Sequence, residues 1–150
     1  MSNQASVVNL TLVEGYKFEV DFGDFGTITT DEPEPLGSGS GPSPSQLLAA
    51  AVANCMAASL MFAVRKYKGD PGQMSAQVTA TTERVDGRLR VTHLDVDLRL
   101  GNPAIELPQL DKILAQFEDF CVVTQSVRQG IEVTAKVHDS TGMGVRSSTK

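Results

Sequence analysis

Tryptophan is absent from this chain, and cysteine and histidine occur twice each. Two cysteines are too few for a disulfide scaffold. With only two histidines beside them, a Cys/His zinc site is hard to build. No run of lysine or arginine occurs, and 13 basic against 18 acidic side chains give a formal charge of −5. An acidic chain of this kind has no electrostatic footprint for nucleic acid or for an anionic membrane surface. Neither a phosphate-cradling G-x-x-x-x-G-K-[ST] nor an H-E-x-x-H pattern is present. The glycines Gly37, Gly39 and Gly41 alternate with serine, which is not the G-x-G-x-x-G spacing, and they follow a Pro-rich stretch rather than a strand. Residues 1–6 are polar and lack the cationic start and apolar core of a secretory signal, so the expected compartment is the cytoplasm, where thiols stay reduced.

What is present fits one domain. The chain has 150 residues, 41% of them apolar, which is enough to bury a core. Residues 7–13 and 16–22 alternate apolar and polar side chains around Glu14-Gly15, which predicts a β-hairpin, and residues 27–30 predict a short third strand. Residues 31–45 are rich in Pro, Gly and Ser and predict a loop with no core of its own, either a functional lid or a mobile connection. Ser43 then begins a capping box with Gln46, with Pro44 in the first helical turn. The following 18 residues, 47–64, carry polar or reactive atoms only at Asn54, Cys55 and Ser59. A helix apolar all round is buried or crosses a membrane. This one is rich in Ala and flanked by amphipathic strands, so a central buried helix is expected. Covering it on several sides asks for more structure than the chain's few strands supply, and a tight homodimer is expected.

Asp86-Gly87 between two long alternating runs predicts a second hairpin, with Val91, Leu94, Val96, Leu98 and Leu100 on its apolar face. Pro108 is expected to open a helix running to about Phe120, residues 121–129 a separate short helix stopped by Gly130, and residues 131–137 a final strand. Residues 139–150 are small and polar, and a flexible tail is expected there. Segregated strands and helices make this an α+β chain.

Chemistry concentrates on Cys55 and Cys121. His93 falls in a strand and His138 at the start of the tail, and neither has partners at ligand spacing. Cys55 lies midway along the apolar helix. It is either a small buried hydrophobe or, if the fold brings it a cation or a helix terminus, a nucleophile. Cys121 follows Phe117-Glu118-Asp119-Phe120. If it begins a new helix, its sulfur sits near backbone N–H groups that favour thiolate; otherwise it too is a core residue.

Two segments carry a family resemblance. The stretch 41–55, GPSPSQLLAAAVANC, resembles the helix signature of the OsmC/Ohr family: a Pro-led start, an Ala-rich apolar helix and a cysteine. The stretch 121–133, CVVTQSVRQGIEV, resembles that family's second cysteine with its short helix, Gly and final strand. The Asp-Glu-Pro-Glu-Pro-Leu-Gly loop at 31–37 also resembles OsmC-like members, and the resemblance covers about residues 7–137. It implies an α+β fold in which β-sheets wrap long central helices in an intertwined homodimer. It further implies a cysteine-dependent peroxidase acting on small organic hydroperoxides. In it Cys55 would attack the peroxide and Cys121 would resolve the sulfenic acid to a disulfide. An external dithiol would reduce that disulfide, with no metal or organic cofactor. The family's peroxidases activate the first cysteine with an Arg from the N-terminal strands and a Glu after the helix-opening proline. Here no Arg precedes Arg65, the Glu position is Ser45, and Lys17 is the nearest basic residue, so Lys17 and Ser45 are the candidate substrate-side residues. The family proline after the second cysteine is Val122. A second reading remains open: a non-enzymatic dimeric protein that keeps the scaffold and binds a small apolar ligand.

Overall fold

The structure is a computed structural model that describes residues 3–149, without the side chains of 145–149. Its order is β1 (Asn9–Glu14), β2 (Lys17–Asp21), β3 (Thr27–Thr30), α1 (Pro44–Lys66), β4 (Ser75–Val85), β5 (Arg88–Arg99), α2 (Leu110–Gln116), α3 (Val122–Gln129), β6 (Thr134–His138) and β7 (Gly144–Thr149). Short 3-10 turns fall at Gly23–Phe25, Ala104–Glu106 and Phe117–Phe120. Contacts gather in two compact units interleaved along the chain: one runs to Asn54 and takes in Ser75–Arg99, the other holds Cys55–Met74 and the chain from Leu100 onward.

In the first unit β1, β2 and β3 form an antiparallel sheet in that order. Leu10 pairs with Val20 and Leu12 with Phe18, so the apolar positions of both strands project from one face of the sheet. Asp86 and Gly87 both take positive φ, at 50° and 79°, the conformation a two-residue hairpin needs to match strand twist. That turn sets β4 against β5 from Val85–Arg88 outward. The register slips between Thr81 and Thr82, leaving Thr92 as the extra residue of a bulge. The bulge is why Val91 and Leu94, three apart, share the half-buried side with Val96 and Leu98.

The loop at 31–43 corrects the expectation of a segment without its own core. Asp31 is 2% exposed. Its carboxylate accepts the amides of Glu32 (2.8 Å), Ser38 (3.1 Å) and Ser40 (3.1 Å) and the Ser38 hydroxyl (2.7 Å). A single buried carboxylate therefore organises the loop, satisfying the turning backbone from inside by hydrogen bonds rather than by apolar packing. Two glycines let strands of chain pass close. A Cβ on Gly37 would run into the Glu32 carbonyl, and one on Gly41 into that of Thr29. At the loop's end the capping box forms as the sequence predicts, Ser43 N–H donating to Gln46 Oε1 (2.9 Å) and Gln46 N–H to Ser43 Oγ (3.3 Å).

The second unit carries the C-terminal half of α1. Leu60, Ala63 and Val64 are buried there, whereas Phe62 is exposed. Within the chain α1 is thus buried on one side, not all round. It is long and apolar enough to cross a bilayer by length and composition alone. Phe120 is held on it from two directions, its ring 6.0 Å from that of Phe62 and 5.6 Å from the Lys66 ammonium. α2 starts at Leu110 rather than at Pro108, because Gln109 takes a left-handed conformation (φ 57°) and shuts the proline out. The strand expected to be final, β6, begins at Thr134, so Ile131, expected at its start, precedes it, and β7 follows it. Residues 139–149 are not a tail. Asp139 accepts the Thr141 amide (2.8 Å) and hydroxyl (2.6 Å) and the Met143 amide (3.1 Å), and this turn pairs β7 with β6. An Asx turn is made of the same small polar residues as a frayed end, which is why composition misread it.

Hydrogen bonding lowers the Asp31 carboxyl to about 2, the Ser38 hydroxyl contributing most and the Ser40 amide next, against a desolvation that raises it. A depressed acid stabilises the fold fully above its unfolded value near 3.9 and loses that contribution as pH falls through its folded value. The amide resonances of Ser38 and Ser40 should accordingly titrate with a midpoint near 2; a midpoint near that of a free Asp would refute the buried carboxylate. Replacing Phe120 with Ala should cost about 1–2 kcal/mol, the sum of one aromatic pair and one cation–π contact, by chemical denaturation. It should also speed alkylation of the adjacent Cys121 in the native protein.

Candidate functional site

The two cysteines meet in the second unit. Cys55 is the first α1 residue of that unit, and Ser59, Phe62 and Lys66 follow at intervals of four, three and four. That spacing puts all four on one stripe of the helix. Phe62 and Lys66 hold Phe120. Cys55 and Ser59 meet the next residue, Cys121, and both are hydrogen-bond partners of its sulfur. Docking one aromatic ring on the stripe therefore delivers the second cysteine to the first.

Cys121 is 0% exposed and Cys55 half-buried; both are free thiols. Cys121 is the N-cap residue of α3, as the sequence allowed. Its Sγ–H donates to Thr124 Oγ1 at 2.8 Å, one turn into the helix. The corner is closed on its other side by the Cys121 amide donating to the Glu118 carbonyl (3.0 Å) and by Gln125 Nε2 donating to the same oxygen (3.0 Å). The Arg128 guanidinium pairs with the Glu118 carboxylate at 2.7 Å. Burial by itself pushes the Cys121 thiol up. The hydrogen bonds from Cys55, from the Thr124 hydroxyl and amide and from Ser59 outweigh it and hold the thiol below its usual range. Donors that favour thiolate thus converge on the second cysteine.

Lys17 and Ser45 lie in the other unit. The Lys17 ammonium is taken by Glu14 at 3.2 Å across the β1–β2 turn, and Ser45 sits half-buried in the first turn of α1. Reasoning from sequence missed Ser59 and Thr124. Each had a signal: Ser59 is one helical turn beyond Cys55 on the same face, and Thr124 stands three residues after a helix-opening cysteine, the capping distance. Among the described residues no group of three or more His, Cys, Asp or Glu side chains comes together.

None of the curated proteins matches the chain. Solved structures do. An OsmC-like protein from Mycoplasma pneumoniae is 17% identical with a TM-score of 0.68, covering 87% of this chain and 91% of its own. An organic hydroperoxide resistance protein OsmC from Legionella pneumophila is 17% identical at TM-score 0.62, over 85% of this chain and 92% of its own. The organic hydroperoxide resistance protein OhrB of Bacillus subtilis is 18% identical at 0.59, over 81% and 90%. At such identities these likenesses show a common α+β fold. The model of the OsmC-like protein family matches residues 37–136, a segment that holds both cysteines, and the chain belongs to that family.

Proposed function

We propose that this protein is a dithiol peroxidase that reduces small organic hydroperoxides through Cys55 and Cys121. The observation that carries the reading is the contact between the two thiols, one half-buried and one fully buried. Cys55, as thiolate, attacks the terminal peroxide oxygen; the O–O bond breaks, the alcohol leaves, and Cys55 becomes a sulfenic acid. The Cys121 sulfur, once deprotonated, attacks the Cys55 sulfur, and hydroxide leaves as water. The peroxide has then gained two electrons and the cysteine pair has lost two. An external dithiol restores them, and no metal or organic cofactor takes part. The structures named for organic hydroperoxide resistance support the choice of oxidant. The apolar surroundings of α1 suit such a substrate.

The same reading makes the protein a cytoplasmic homodimer in which sheets wrap the paired long helices. Leu10 and Leu12 on β1 and Leu48 and Phe62 on α1 are exposed in the single chain, apolar side chains that a second copy would cover. It includes neither nucleic acid nor a membrane. Lys17, held by Glu14, and the uncharged Ser45 are the substrate-side residues of this proposal; Lys17 offers a point charge, without the two-pronged hydrogen bonding of an arginine.

One equivalent of an organic hydroperoxide should consume both free thiols and yield an intramolecular disulfide. Cys55→Ser should abolish this, and Cys121→Ser should leave a sulfenic acid trappable on Cys55. A thiol titre unchanged by hydroperoxide would remove the peroxidase and leave the binding protein for a small apolar ligand. Size-exclusion chromatography with light scattering should give a dimer that persists on dilution; a monomer mass would overturn the assembly.

A further inference from the structure

The two sulfurs are unequal, and the inequality assigns them different parts in the reductive half of the cycle. Cys121 is 0% exposed. Its sulfur has a hydroxyl at 2.8 Å from Thr124, and that threonine is itself buried. Ser59, 7% exposed, supplies a second hydroxyl from α1. A thiolate opening a disulfide must reach one sulfur while the other leaves, and the better leaving sulfur is the one whose thiolate is more stabilised.

We propose that Ser59 and Thr124 are positioning residues for re-reduction: they cradle the Cys121 sulfur, so that an external thiolate opens the Cys55–Cys121 disulfide at Cys55 and Cys121 is expelled. The inference rests on the dithiol reading above, though not on hydroperoxide as the oxidant. The incoming thiolate, from a small dithiol, forms a bond to the Cys55 sulfur. The Cys55–Cys121 bond breaks, and its electron pair stays on Cys121 as thiolate. The Thr124 hydroxyl, which accepts the thiol proton in the reduced protein, turns to donate to that charge. The second thiolate of the dithiol then attacks its own partner sulfur, and Cys55 leaves and takes a proton from water.

Charged groups on the packed elements do not perform this task. Lys66 of α1 is over the Phe120 ring, and Glu118 and Arg128 are paired with one another. Among the described residues the one further titratable partner of the sulfur is Cys55 itself. The same cradle also stabilises the reduced pair, which makes the disulfide the more oxidising.

Diamide forms the disulfide without any peroxide chemistry, so the test stays separate from the peroxidase assay. The diamide-oxidised protein is treated briefly with glutathione, alkylated and mapped by peptide mass spectrometry. Glutathione should be found on Cys55 and the alkyl group on Cys121; the reverse pattern overturns the proposal, as does failure of diamide to link the pair. Thr124→Val should slow reduction by dithiothreitol about three- to tenfold, the effect of losing one hydrogen bond to a charged sulfur. Ser59→Ala should slow it less, and Thr124→Ser should restore the rate. In a Cys55→Ser background, the midpoint of thiolate absorbance should rise by about one unit with Thr124→Val and return with Thr124→Ser. Reduction of Thr124→Val and Ser59→Ala at the parent rate would refute the cradle, and a poorly folded Thr124→Val leaves the glutathione map to decide. Disulfide formation by diamide but not by hydroperoxide would dispose of the peroxidase and leave this inference standing.

Discussion

A sulfur atom sealed from water needs hydrogen-bond partners if it is to carry charge, and this one constraint organises the second unit. Cys121 is sealed, and its partners come from two places: the first turn of α3, and the α1 stripe with Ser59 and the facing Cys55. Each requires something else to be in position. α3 must begin at Cys121, and the amide and carbonyl bonds to Glu118 fix that start. The preceding turn must lie on α1, and Phe120 between Phe62 and Lys66 fixes that. The stripe must show small residues where the sulfur arrives and large ones where the ring arrives, which is the order Cys55, Ser59, Phe62, Lys66. A bulky side chain at Ser59 would displace the sulfur and remove a donor in one change.

The first unit meets the same problem with different atoms. Asp31 is buried among backbone amides, as Cys121 is buried among hydroxyls. A carboxylate with several donors keeps its charge even where solvent is sparse. A thiolate with a comparable shell does likewise. The donors to Asp31 come from its own loop, those to Cys121 from α3 and α1, and neither group is ion-paired among the described residues. This economy fits a sequence with few basic residues and none in runs.

Much of this was legible beforehand, for identifiable reasons. The capping box at Ser43, the Asp86-Gly87 turn and the α1 span are local: their signals lie within a few residues, and the backbone conformation follows from side chains that the sequence shows. The helix start at Cys121 was legible as a condition, since the preceding Phe117–Phe120 segment does not continue α2. The loop core around Asp31 and the turn at Asp139 were not. One carboxylate reaching amides at seven and nine residues' distance leaves no period in the sequence, and composition reads such segments as mobile. Ser59 and Thr124 were hidden for another reason. A serine in an Ala-rich helix and a threonine in a short polar one look like filler until the sulfur they serve is placed beside them.

The fold is shared with proteins named for hydroperoxide resistance, and fold alone does not carry chemistry across. What bears on the chemistry is where charge stabilisation sits. At the helix start, where a family peroxidase would place a glutamate, this chain has Ser45, and the one basic residue of β1 and β2, Lys17, is bound to Glu14. An arginine–glutamate pair does exist among the described residues, Arg128 with Glu118, but its charges are spent on each other, and what bonds the Cys121 amide is the Glu118 backbone carbonyl. The hydroxyls of Ser59 and Thr124 are on the same side. The hydrogen bonds that favour a thiolate thus gather on the second cysteine, and they come from hydroxyls and from Cys55, not from a cation. In the dithiol cycle proposed above, such a site would favour release of Cys121 over attack by Cys55, and oxidation would be the slower half of that cycle.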